Sequence, residues 1–141
     1  MHIPQVLKRL NRLEATGHSV QLAPPASEEA ISETQVRLGL SFPEPVSRYW
    51  KAFDGLVVID PQLEILPLAK FKLVSGLLFF STLNRHIELA FRTDCLNVAG
   101  QWSILIVGTN EQLTFTLQSF WSIHIWHWLE RRRTIWIGPP Y

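Results

Sequence analysis

Residues 27–55, SEEAISETQVRLGLSFPEPVSRYWKAFDG, restrict the fold of this chain more than any other stretch. In the second half, Val46, Tyr49, Trp50 and Phe53 recur at i, i+3, i+4 and i+7, which gathers four bulky apolar side chains on one face of a helix. Pro43 and Pro45 fall in its first turn, where no intrahelical N–H bond is lost. Ser41 stands where a cap is needed, and Glu44 sets negative charge at the positive end of the helix dipole. Asp54-Gly55 then supplies a glycine stop. In the first half, Ser27 reads as an N-cap, Glu28 and Glu29 fill the first turn, Ile31 and Leu38 share a face, and Gly39 ends the helix. Leu40 and Phe42, apolar on either side of Ser41, predict an extended link pinned to a core. The expectation is a helical elbow with an aromatic inner face.

Ahead of the elbow, residues 4–15 predict an amphipathic helix, with Val6, Leu7, Leu10 and Leu13 on one side and Lys8, Arg9 and Arg12 on the other. Three basic residues without an aromatic anchor describe a solvated face rather than a grip on membrane or nucleic acid. Thr16-Gly17-His18 ends this helix, and Pro24-Pro25 forms a stiff spacer. Beyond Gly55 the texture turns to strands. Residues 56–59 and 63–66 read as two, with Asp60-Pro61-Gln62 as a hairpin connection. Residues 87–92 alternate Ile87, Leu89 and Phe91 with Glu88, Ala90 and Arg92. Residues 102–107, between Gly100 and Gly108, predict a buried strand, and 113–116 its return after a turn at Asn110-Glu111. Residues 69–81 fit a helical turn or a strand. Short connections imply antiparallel pairing. With helices at both ends of the chain, the fold class is α+β.

The segment SFWSIHIWHWLERRR, residues 119–133, is open to two readings. Trp121, Ile123 and Ile125 alternate as on a strand until Trp126 breaks the pattern. Ser119 as a cap, with Arg131, Arg132 and Arg133 at the end where cations are favoured, fits a helix, which is the expectation. Trp121, Ile125, Trp128 and Leu129 form one stripe at helical spacing, beside a second containing Phe120 and Ile123. A helix apolar nearly all round must be covered on more than one side. Two coverings are open. The sheet and the first helix can bury both stripes, or another protein can meet Trp121, Ile125, Trp128 and Leu129, since aromatic residues concentrate at interface cores. Further on, Ile135, Trp136 and Ile137 are a candidate edge strand before Gly138-Pro139-Pro140.

The elbow resembles the SUKH superfamily. That family's pattern is a leading helix ending L-G-x-x-(L/F)-P, then an aromatic-rich helix closing on Asn-Gly or Asp-Gly. Here the matching residues are Leu38, Gly39, Phe42, Pro43, Tyr49, Trp50, Phe53, Asp54 and Gly55. The order of later elements is similar too: Ile65-Leu66-Pro67-Leu68, several strands, then Ser119-Phe120 opening a terminal helix. Gln35 stands where the family often has Glu, and Asp54-Gly55 where Asn-Gly is usual. The resemblance implies a single domain over residues 1–141, with N-terminal helices and a C-terminal helix packed on an antiparallel sheet, and Phe120 and Ile123 pointing inward. It also implies a non-enzymatic protein-binding module, an immunity protein that neutralises a bacterial polymorphic toxin. The alternative within the family is a regulatory or scaffold protein like its fungal members, which govern cell-wall glucan synthesis.

Composition narrows the classes further. A chain of 141 residues, 47% hydrophobic, can bury one good core. A formal charge of +1 is too small for a nucleic-acid surface and argues against a very basic partner. Cys95 has no cysteine to pair with, so a reducing cytoplasm is the expected compartment, and the residue reads as a small buried side chain. The N-terminus is not a secretory signal, and no stretch reaches the length of a membrane span.

No G-x-G-x-x-G, Walker loop or G-x-S-x-G is present, so neither a cofactor nor a catalytic residue is assigned. His124 and His127, three apart on a helix, lack the further ligands of a metal site, and His2, His18 and His86 are scattered. Asp60, Glu64, Asp94 and Glu111 serve a small hydrolase only if the fold brings two of them together across a cleft. The partner that the resemblance implies is a protein, a toxin domain first, with homodimerisation left open; nucleic acid and membrane are not expected.

Overall fold

The computed structural model describes residues 2–59 and 62–131, the last two by backbone alone. Helices α1 (Ile3–Ala15), α2 (Glu28–Leu38) and α3 (Glu44–Ala52) occupy the N-terminal part, with strand β1 (Ser19–Leu22) between the first two. Strands β2 (Leu56–Ile59), β3 (Leu63–Ile65), β4 (Lys72–Val74), β5 (Leu77–Leu83), β6 (Ile87–Arg92), β7 (Ile104–Ile106) and β8 (Glu111–Thr114) follow. They form one eight-stranded antiparallel sheet in the order β1-β2-β3-β5-β6-β7-β8, with β4 paired beside β5. A C-terminal helix closes the described chain: α4 (Leu117–Ser119), a π-helical segment (Phe120–Ile125) and α5 (Trp126–Arg131). The fold is α+β, as the sequence predicts.

The elbow forms for the reasons its sequence gives, with two corrections. Ser27 Oγ accepts a hydrogen bond from Ala30 N at 3.0 Å, and Gly39 closes α2 in the left-handed region at φ 67°. Val46, Tyr49, Trp50 and Phe53 are all buried. Trp50 is the hub: its indole N–H donates to Leu66 O at 2.9 Å, and its ring meets Phe71, Phe80 and Phe91 edge-on at 5.1, 6.1 and 6.2 Å. The first correction is that Pro43, not Ser41, occupies the N-cap of α3.

The second correction concerns Asp54-Gly55. α3 ends at Ala52, and Phe53 is already extended at φ −156°, ψ 133°, so the glycine does not cap the helix. Gly55, at φ +92°, lies against β3 so closely that a Cβ would sit 2.6 Å from Ile65 O. Asp54 Oδ1 accepts from Leu68 N at 2.8 Å. The pair fastens the exit of α3 to the chain leaving β3.

In the sheet, β2 and β6 lie where the sequence places them, β6 on its alternation, and β3 ends at Ile65, one residue short of the expected strand. The ambiguous residues 69–81 resolve into the end of a short 3-10 turn, Leu68–Lys70, and the β4–β5 hairpin. β7 begins at Ile104 rather than Trp102, whose buried ring packs on Phe42 and Phe91 at 5.8 Å each. β8 lies two residues earlier than expected because Thr116 is needed as a helix cap: its Oγ1 accepts from Ser119 N at 3.1 Å. The C-terminal helix therefore starts before Ser119, which is no cap. β1 has no forerunner in the sequence reading. The proposed link at Asp60-Pro61 and the proposed strand at Ile135, Trp136 and Ile137 lie outside the described residues, as do Arg132 and Arg133.

One face of the sheet carries the core, with Val58, Leu63, Phe80, Leu89 and Ile104 fully buried and the Phe80 and Phe91 rings stacked at 4.0 Å. The C-terminal helix lies in that core on several sides at once. Phe120, Trp121, His124, Ile125, Trp126, Trp128 and Leu129 are all buried, Ile123 is half-buried and Ser122 is exposed. Trp121 packs against Phe53 at 6.2 Å, and Arg9 of α1 lies over the Trp126 ring at 5.4 Å. Arg9 thus leaves the solvated face expected for it.

Candidate interaction surface

The tryptophan stripe is part of the core. Trp121, Ile125, Trp128 and Leu129 are no more than 2% exposed, so in this fold they are not a docking face; Trp121 packs against Phe53 beside Tyr49, Ile65 and Phe80. Cys95, expected inside, is exposed. His124 is buried, His127 is half-buried, and both are engaged in contacts. Among the described residues no three His, Cys, Asp or Glu side chains are grouped as a metal ion would require. Glu64 and Asp94 line separate depressions, Glu111 is exposed on β8, and Asp60 lies outside the described residues.

Among the exposed large apolar side chains, Leu22, Val36, Ile59 and Val74 lie on four separate elements, whereas Leu96 and Val98 share the β6–β7 connection, TDCLNVAGQWS. Asn97 organises it. Its Nδ2 donates to Phe115 O at 2.9 Å and to Ser103 Oγ at 3.1 Å, while its Oδ1 accepts from Ala99 N at 2.8 Å and Gln101 N at 3.3 Å. Its backbone N–H donates to Gln101 O at 2.8 Å, and Gly100 N–H donates back to Asn97 O at 2.9 Å, with Gly100 at φ 72°. An asparagine that satisfies its own loop in this way replaces the missing ladder of a strand. Gln101 ties the same loop to the C-terminal helix, donating to Gln118 Oε1 at 3.1 Å and accepting from Leu117 N at 3.2 Å. In this loop Leu96 is 60% exposed and Val98 98%.

Beside the loop is a hollow of about 410 Å³ lined by Ser75, Gly76, Arg92, Asp94, Leu105 and Asn110, among others. Thr93 anchors its wall, with N–H and Oγ1 both donating to Gly76 O, at 2.9 and 2.8 Å. Arg92 Nε donates to Asp94 Oδ1 at 3.0 Å, and that hydrogen bond holds the Asp94 carboxyl below its ordinary range and raises Arg92. An acid held ionised beside a guanidinium is not poised as a general acid or base at neutral pH. The hollow and the hydrogen-bonded loop are neighbouring features that share Asp94.

Sequence reasoning did not single out Leu96, Asn97 or Val98. The available cue is Asn97 with Gly100 three residues on, between two strand signals, which marks a turn but not what the turn displays. No family model matches the chain, and no curated protein matches it closely enough to count as a relative. Among the described residues no helix is long and apolar enough to cross a membrane.

Proposed function

We propose that this chain is a non-enzymatic protein-binding module and, in the light of the SUKH resemblance of its elbow, an immunity protein that neutralises a bacterial toxin in the cytoplasm. The observation that supports this most is the Asn97-pinned loop. It holds Leu96 and Val98 in water, while the hydrogen bonds around it fix their geometry before any partner arrives. Ordering a loop at the moment of binding costs affinity, and a loop already ordered avoids that cost. Apolar side chains displayed in this way gain free energy when they enter a partner's cleft. Neutralisation then needs only occlusion: the loop and the neighbouring hollow cover the toxin's working face, with no bond made or broken.

The direct test is co-expression with a toxin module encoded beside the gene. Growth rescue together with a stable complex supports the reading. Substrate turnover by the purified chain, with no complex formed, would overturn it.

A further inference from the structure

Among the described residues β1 lies at the end of the strand order, and its outer edge carries no charge, bulge or proline within the strand. The other edges do. β8 begins with Glu111 and pairs through a register shift, and β4 is three residues long and begins with Lys72. β1 reads Ser19-Val20-Gln21-Leu22, with no charge, no proline and an unbroken register against β2.

The register also fixes which backbone groups face outward. Ala23 N–H donates to Gly55 O at 3.1 Å, which makes Ala23 a hydrogen-bonded partner of Gly55. In an antiparallel pair such partners alternate. Gln21 and Ser19 therefore bond to β2, while Val20 and Leu22 turn their N–H and C=O groups away from it. Val20 is half-buried against the core, and Leu22 beside it is 43% exposed.

From this we infer that β1 pairs with β1 of a second copy, antiparallel about a two-fold axis at Gln21, to form a dimer with a continuous sheet. In this register Val20 faces Leu22 of the other copy, and both residues use their outward backbone groups. The pairing is isologous, so each half satisfies the other. Leu22 is covered by an apolar side chain, Gln21 meets its own carboxamide, and no like charges are opposed along the four residues. Pro24 limits the ladder to this short length, so the association is reversible and depends on concentration.

Sedimentation velocity over a concentration series tests the inference. The wild-type chain is expected to move from its monomer mass of 16.3 kDa towards twice that value. Leu22→Pro removes an outward N–H that β2 does not use, and should stay monomeric at concentrations where the wild type dimerises. If Leu22→Pro does not fold, Gln21→Cys in a Cys95→Ser background decides. Opposed residues of a non-hydrogen-bonded pair lie within disulfide reach. That variant should give a covalent dimer without reductant, whereas Gln112→Cys on the opposite edge should not. A wild-type chain that remains monomeric at every concentration overturns the inference. So does a Leu22→Pro chain that still dimerises, or one that loses stability while wild type stays monomeric, which would place another part of the chain on this edge. Equal cross-linking at Gln21 and Gln112 also overturns it.

Discussion

Trp121 and Trp126 stand five residues apart on the C-terminal helix, yet their rings meet at 5.6 Å between centroids and 47° between planes. On an α-helix, residues five apart diverge by about 140°. The π winding narrows that divergence: Trp126 N–H donates to Trp121 O, an i→i+5 bond shared with Ile123 O, and the two indoles come within contact. A segment apolar on two α-helical stripes is thereby buried in a single core.

We expect Trp121→Ala to destabilise the fold by about 3–5 kcal/mol, the usual cost of emptying a buried tryptophan site. Urea denaturation measures it. A stripe reserved for a partner would instead leave the unfolding midpoint unchanged.

Gly55→Ala should be more damaging than its size suggests. The added methyl meets Ile65 O at 2.6 Å and Pro67 N at 2.9 Å, both backbone atoms, and φ +92° disfavours any L side chain. A loss of at least about 2 kcal/mol is expected by thermal or urea unfolding. Gly76→Ala is the control for conformation alone, since it shares a positive φ of 80° with open space around it.

Asn97→Ala removes both ends of the amide that pins the β6–β7 connection. The expected cost is about 1–3 kcal/mol. The more telling readout is hydrogen exchange: the amides of Ala99 and Gln101, which now donate to Asn97 Oδ1, should lose protection while those of β5 and β6 keep theirs.

Tyr49 gives a pH signature. Burial pushes its phenol up to about 12, offset in part by the nearby Arg48 guanidinium. A pKa raised on folding means the native state holds the proton more tightly than the unfolded chain. The stabilising contribution is complete below the unfolded value near pH 10 and fades as pH rises towards about 12. The stability of the wild type should therefore fall relative to that of Tyr49→Phe across that window, and parallel curves would contradict this.

The elbow was legible because its signals are local. Ser27, Gly39 and the Val46, Tyr49, Trp50, Phe53 spacing each act within a turn or two of helix. β1 was not, because a four-residue edge strand with one half-buried side chain has no period to read, and pairing with β2 decides its state. The tryptophan stripe was seen as a stripe, but its burial depends on residues far away in sequence, such as Phe53 and Phe80 around Trp121. Asp54-Gly55 looked like a cap because the dipeptide is common there; its task is a close approach to β3 that no local pattern records. The display of Leu96 and Val98 follows from hydrogen bonds reaching Phe115 and the C-terminal helix, so the sequence marks a turn there without saying which way it points.

The claim on which the account turns is that this loop is the contact element. Calorimetric titration of the cognate toxin module with a Leu96→Ser, Val98→Ser double variant tests it most directly, with unfolding midpoints recorded alongside. Both side chains are exposed, so stability should be unchanged. The account predicts an affinity at least about tenfold weaker, equivalent to about 1.4 kcal/mol. Wild-type affinity in the double variant would contradict it.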